Sequence, residues 1–368
     1  MRICLIGPAP PLRGGIASHT AGLCAALSGQ GHAVAVYSYV RLYPSSLFPG
    51  RTQHADGVRP LGRAIIDTLG PASWVRVRRL VEASDPELVL VQWWHPLVAP
   101  AIASVAKRLS APVAFLCHNA EPHERVPFIQ ILSRLALGRA SAVLCHSRSV
   151  ARAVEPLVRP IVPRLCPMPL LADVGADVVT GSDRDHAPTV LFLGHARSYK
   201  GLDVLVSAWQ MARLPAGSRL WIAGESYLGR GRLQALVRAS GRRDSILVED
   251  RYLTDRELCQ RLVDADILVA PYRRASQSGI VPLAVAAGLR VVASDAGGLG
   301  EQLAGDPRHV LVAPGNAPAL AEALGAVLGA QSATDAARQR RVLRTADVRE
   351  SWLPLVRTCE EVARTERP

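Results

Sequence analysis

Residues 189–209 read TVLFLGHARSYKGLDVLVSAW, and the fold turns on them. An apolar run of strand length, TVLFLG, stops at Gly194. HARSYKG then reads as a loop, and LDVLVSAW opens a helix. The loop holds two cations, Arg197 and Lys200. The chain carries 43 Lys plus Arg, yet Lys107 and Lys200 are its only lysines. Lys107, in VAKRLS, reads as ordinary helix surface. Lys200 stands between an apolar strand and a helix, where a compact ammonium has a use that a guanidinium fork does not replace.

The same strand–loop–helix unit recurs in both directions. Downstream lie RLWIAG, SILVED, DILVAP, RVVASD and HVLVAP, separated by helical stretches. Upstream, RICLI, AVAVYS, ELVLVQ, PVAFLC and SAVLCH alternate with segments such as IASHTAGLCAALSGQ and LVAPAIASVAKRL. Continuous apolar strands with helices between them mark a parallel sheet covered on both faces. A Pro-, Gly- and Asp-rich stretch, from RPIVPRLCPMP to VTGSDRDHAP, interrupts the alternation and reads as a linker. The expected fold is therefore α/β, with two Rossmann-like domains whose parallel sheets face a cleft. The expected boundaries are 1–170, a linker at 171–187, 188–346, and a terminal helix at 347–368, VRESWLPLVRTCEEVAR, that crosses back to the first domain.

Composition narrows the function. At 368 residues, 49% hydrophobic and 20% charged, the chain has a globular balance and room for two cores. The formal net charge is +12, but the arginines are scattered and aromatics make up only 5%. A nucleic-acid partner is therefore not expected, and at most peripheral contact with an anionic membrane is. Seven dispersed cysteines without C-x-x-C argue for small core hydrophobes in a reducing compartment and against structural zinc. The N-terminal apolar run is too short for a signal-peptide core, and no run approaches the ~18 apolar residues of a membrane span. The expected location is cytoplasmic.

Four features lie near strand ends. In PLRGGIASH, Gly14 and Gly15 open a helix after the first strand and allow close backbone approach by a phosphate. In CHNAEPHE, His118 stands at a strand end as a polar contact to substrate, with His123 beside it on the acceptor side. His118, Glu121 and His123 lack the helical H-E-x-x-H spacing, so no metal is expected there. Arg197 and Lys200 suit a diphosphate. In PYRRASQSGIVPLAVAAG, Gln277, Ser278 and Gly279 lead to a helix start near Ile280, whose first N–H groups would meet the same anion. Trp93 and Trp94, in QWWHP, are expected on the acceptor side, stacking on a sugar or lipid or packing in the core.

Taken together, GPAPPLRGGIASHTAGL, FLGHARSYKGLDVLVSAW, LWIAGES, LTDRELCQRLVDADILVAPY and ASQSGIVPLAVAAGLRVVASDAGGLGE make the whole chain resemble the bacterial retaining glycosyltransferases of family four. The resemblance implies the glycosyltransferase-B fold and a nucleotide-diphosphate sugar as co-substrate, with no metal or other cofactor. Arg197 and Lys200 would hold the diphosphate, Gly15 would lie near donor phosphate and sugar, and His118 would contact the donor sugar. The acceptor would be a sugar, a lipid-linked group or a small molecule, in polysaccharide, glycolipid or glycosylated-metabolite synthesis. One departure stands out. The family's two glutamates, the second of which commonly binds ribose, are replaced by Ala275 and Leu283. That loss keeps a non-catalytic sugar-nucleotide-binding protein in view, beside a nucleotide-sugar epimerase of the same fold.

Overall fold

Along the first-half strands, alternate side chains sort onto opposite faces. Cys4 and Ile6, Val89 and Val91, and Phe115 and Cys117 join one buried cluster. Ile3 and Leu5, Leu88 and Leu90, and Ala114 and Leu116 join another. This is the period of two expected of strands buried on both faces. The computed structural model of the protein describes residues 1–42, 52–55, 57–107, 109–119, 129–172, 177–179, 188–229, 231–333 and 342–366. The chain divides into two compact units: Met1–Leu171 with Arg349–Pro368, and Ala172–Val348. Most of the linker expected at 171–187 lies outside the described residues.

The first unit carries β1 (Arg2–Ile6), β2 (Ala33–Arg41), β3 (Arg63–Asp67), β4 (Leu88–Trp93), β5 (Val113–Cys117), β6 (Ala142–Cys145) and β7 (Arg164–Leu165). They form one parallel sheet in the order β3-β2-β1-β4-β5-β6-β7. The second unit begins with β8 (Val178–Val179) and continues with β9 (Thr189–Leu193), β10 (Arg219–Ala223), β11 (Ile246–Glu249), β12 (Ile267–Ala270), β13 (Arg290–Ser294) and β14 (Val310–Val312). Its parallel sheet runs β11-β10-β9-β12-β13-β14, and β8 pairs antiparallel with β15 (Val342–Leu343). The strand order reverses next to β1 in one unit and next to β9 in the other. Open sheets of this kind bind ligands outside the carboxyl ends at such points.

The end of the chain belongs to the first unit. Helix Leu353–Thr365 has Pro354 in its first turn and buries Leu355, Val356, Cys359 and Val362 against Ile3, Leu5, Leu23 and Leu27. Burial of each large apolar side chain contributes roughly 1.5–3 kcal/mol. Trp352 lies on helix Gly15–Gly29 at Gly22, where an added Cβ would sit 2.2 Å from the indole. His32 Nε2 to Glu360 (2.9 Å) and Arg164 to Glu366 (3.1 Å) add polar ties. All seven cysteines are free, and six of them are buried. No helix among the described residues is long and apolar enough to cross a membrane.

Candidate active site

In the second unit, β9 delivers the Gly194–Gly201 loop at the sheet's carboxyl edge. Arg197 is extended and leads into a single 3-10 turn, Ser198–Lys200. Gly201 closes the turn in the left-handed region, and a Cβ there would meet the Pro271 carbonyl at 2.0 Å, so only glycine fits. The Lys200 ammonium lies 5.2 Å from the centre of the Tyr272 ring, just past the end of β12. The Arg197 guanidinium covers the Tyr227 ring at 4.9 Å. Lys200 as a whole is half-buried. Loss of water lowers its pKa below the ordinary lysine value, and the nearby Arg197 charge pushes the same way.

Among the described residues no carboxylate pairs with Arg197 or Lys200. Other arginines of this unit are neutralised: Arg251 and Arg261 by Glu249, Arg308 by Asp306, and Arg273 by Asp203. Aromatic faces hold two cations without cancelling their charge. Both cations stand at the carboxyl end of β9, beside the topological switch point of the sheet.

Around residues 275–283 the expectations need correction. Ser278 is buried, and its N–H donates to Gln302 Oε1 (2.9 Å) while its carbonyl accepts from Gln302 Nε2 (2.9 Å). The Ile280 N–H donates to Ser278 Oγ (3.3 Å). The amides of Ser278 and Ile280, expected to meet an anion, are therefore committed within the protein. Gly279 caps a helix of only seven residues, Ile280–Ala286. Gln277 Oε1 is buried with no hydrogen-bond partner among the described residues. Leu283 is 0% exposed, a packed core side chain.

In the first unit, Gly14 caps helix Gly15–Gly29 just past the carboxyl end of β1. Among the described residues, a Cβ at Gly14 or Gly15 would meet nothing within 4 Å. His118 directly follows β5, and His146 directly follows β6. The Cys117–Cys145 pairing sets the two histidines side by side. His19, one turn into the helix, completes a buried cluster. Its Nε2 is 3.0 Å from His146 Nε2, and its ring centre is 4.6 Å from that of His118. His118 Nε2 is hydrogen-bonded to Gln92 Oε1, and His146 Nδ1 lies 3.1 Å from the Cys166 carbonyl. Burial pulls His19 and His118 well below the usual imidazole range and His146 down to about 4. All three are neutral at pH 7.

Trp93 and Trp94, expected on the acceptor side, are core residues. Trp93 packs edge-to-face with Phe115 (6.3 Å) and Trp94 with Tyr39 (5.7 Å). Packing, not acceptor stacking, accounts for both. His123, Glu121 and Glu124 lie outside the described residues. Sequence reasoning missed His19, His146, Gln92, Tyr227, Tyr272 and Gln302. One signal was available: the triplet Leu-Cys-His occurs at 116–118 and again at 144–146. On neighbouring parallel strands, that repeat brings two histidines together.

Comparison with known proteins gives both halves a family. Residues 13–163 match Glycosyltransferase Family 4, and residues 187–330 match Glycosyl transferases group 1. A curated relative, D-inositol 3-phosphate glycosyltransferase of Xylanimonas cellulosilytica, is 35% identical over 146 residues, which are 39% of this chain. The match spans 34% of that relative's length. Among solved structures, sucrose-phosphate synthase from Thermosynechococcus elongatus superposes with a TM-score of 0.75 at 18% identity, covering 99% of this chain and 98% of its own. Anabaena HepE, solved with UDP and glucose, gives 0.69 at 15% identity and covers 99% of both chains. These likenesses establish the two-domain glycosyltransferase-B fold.

Proposed function

Because this chain carries a glycosyltransferase family 4 domain followed by a glycosyl transferases group 1 domain, we propose that it moves a sugar from a nucleoside-diphosphate sugar to a hydroxyl acceptor, with retention of anomeric configuration. One observation carries the reading. Among the described residues, Arg197 and Lys200 stand at the end of β9 against aromatic rings and without a carboxylate partner. A leaving diphosphate gains charge as the bond to the sugar carbon breaks. Preorganised cations favour that charge more than the ground state. They do there what a divalent metal does elsewhere, so transfer is metal-independent. His118, held by Gln92, contacts the donor sugar, and the amides at Gly14 and Gly15 lie near its phosphate. The structure of HepE with UDP-glucose supports a uridine-diphosphate sugar as the donor. The +12 charge supports no more than peripheral contact with an anionic membrane.

The test is release of free nucleoside diphosphate by purified protein, with UDP-glucose and other nucleotide sugars, against a panel of hydroxyl acceptors. Acceptor-dependent release, undiminished by excess chelator, is the expected result. Release without any acceptor would mark a hydrolase, and conversion of the donor into an epimeric nucleotide sugar without net release would mark an epimerase. Full loss in chelator, restored by magnesium or manganese, would overturn metal independence. A second reading, a sugar-nucleotide-binding protein without turnover, draws on Ala275 and the packed Leu283, neither of which offers a carboxylate to ribose. Tight nucleotide binding with no release under any acceptor would favour it.

A further inference from the structure

The transfer reading uses one histidine of the first unit, yet three are gathered there. One ring nitrogen from each of His19, His118 and His146 lies within 4.8 Å of the other two, and the three side chains are 0%, 3% and 7% exposed. Two nitrogens bound to one tetrahedral zinc ion at 2.0–2.1 Å are about 3.3 Å apart. The Nε2 atoms of His19 and His146 are already 3.0 Å apart.

The tautomers can be followed around the cluster. The Cys166 carbonyl only accepts, so His146 carries its proton on Nδ1 and offers a lone pair at Nε2. His19 Nε2 then donates to it, which leaves His19 Nδ1 as a buried acceptor with no partner among the described residues. Gln92 Oε1 likewise fixes the proton of His118 on Nε2, and its Nδ1 keeps the lone pair. A polar atom buried without a partner is costly. Moving the His19 proton from Nε2 to Nδ1 would turn Nε2 toward a shared ion with no net proton released. The carbonyl behind His146 and the amide behind His118 are the outer partners that orient metal-bound imidazoles. The donor set is all nitrogen, which suits zinc, nickel or cobalt and not magnesium or calcium.

We propose that His19, His118 and His146 form a binding site for a zinc-class divalent cation, and that the bound ion inhibits sugar transfer by withdrawing His118 from the donor. The binding stands on the first unit alone. Only the inhibition rests on the transfer reading, so each can fail by itself.

The full chain, stripped of metal with chelator and dialysed, is titrated with zinc by calorimetry and with cobalt by visible absorption. One equivalent should bind, and cobalt should show the intense bands of a tetrahedral nitrogen site. H146Q and the double variant H19Q/H146Q, checked for native melting, should weaken zinc binding by 10²-fold or more. Nucleoside-diphosphate release should fall as zinc fills the site and recover on chelation. Absence of stoichiometric binding would overturn the site. Binding that survives in folded H19Q/H146Q would place the ion elsewhere and overturn it equally. Should H19Q/H146Q fail to fold, binding that survives in H146Q alone overturns the site, and its loss there supports it. Zinc bound at the cluster with transfer unchanged would overturn the inhibition alone.

Discussion

Lys200 shows why one residue type is kept where the chain otherwise prefers arginine. Its ammonium lies 3.2 Å from where a Gly194 Cβ would stand, and beside the Tyr272 ring. A planar guanidinium does not fit that seat as a compact point charge does. We expect K200A and R197A each to lower turnover by about 10²-fold or more, the scale for losing one preorganised charge-stabilising group. K200R should recover only part. Initial rates of nucleoside-diphosphate release measure this, and wild-type rates in either alanine variant would remove the diphosphate role. Leu283 lends itself to a stability test. At 0% exposure, L283E buries a carboxylate without a partner and should destabilise the second unit by several kcal/mol, read as a lower urea midpoint. An unchanged midpoint would mean the position reaches solvent or a partner. Lys200 was legible in the sequence because it is rare. His19 was not, because its meeting with His118 depends on packing across a gap of 99 residues, and the repeated Leu-Cys-His that points to His146 gains meaning only once β5 and β6 pair.

Single elements were legible by the length of their apolar runs. Eleven apolar runs read as strands are strands, including the edge strands β11, with one buried residue, and β14, with none. Strand β3 went unread: only three apolar residues stand between Arg63 and Asp67, so its pattern is weak. The two-residue strands β7, β8 and β15 are too short to show any period. Helix Asp255–Asp264 announces its own start in LTDRELC. The Thr254 hydroxyl accepts from the Glu257 N–H, and Glu257 accepts in return from the Thr254 N–H. T254A should cost about 1 kcal/mol by chemical denaturation. The Arg251 guanidinium, then the Thr254 amide, hold Glu257 down to about 2, against 4.5 for an ordinary glutamate. A carboxyl depressed on folding adds stability above its unfolded pKa. That stability is lost as pH falls from about 4.5 toward 2. E257Q should flatten the slope in that window, and an unaltered slope would show that Arg251 does not act on Glu257 in solution.

At the scale of the whole molecule, the repeat of the sheet order in two units was visible as a repeat of the strand–helix alternation. The close approach of Trp352 to Gly22 was not, because nothing in either segment names the other. G22A places a methyl 2.2 Å from the indole and should destabilise the first unit by about 3 kcal/mol as Trp352 is displaced. Trp352 fluorescence should change with it. A variant as stable as the parent would mean that the terminal helix is held without this contact.

That terminal segment also sets a timetable for synthesis. A chain leaves the ribosome from its first residue onward, and domains usually fold in that order. Here the sheet of the first unit emerges early, but Ile3, Leu5, Leu23 and Leu27 wait for partners at 352–363. The whole second unit, residues 172–348, is made in between. At ~5–20 residues per second the wait lasts roughly 10–35 s. During translation a nascent chain therefore displays an uncovered apolar face that chaperones can bind. The second unit, contiguous and complete by residue 348, can fold before the first has all its parts. Emergence of residues 352–363, rather than of the amino-terminal half, is what lets the first-made unit close.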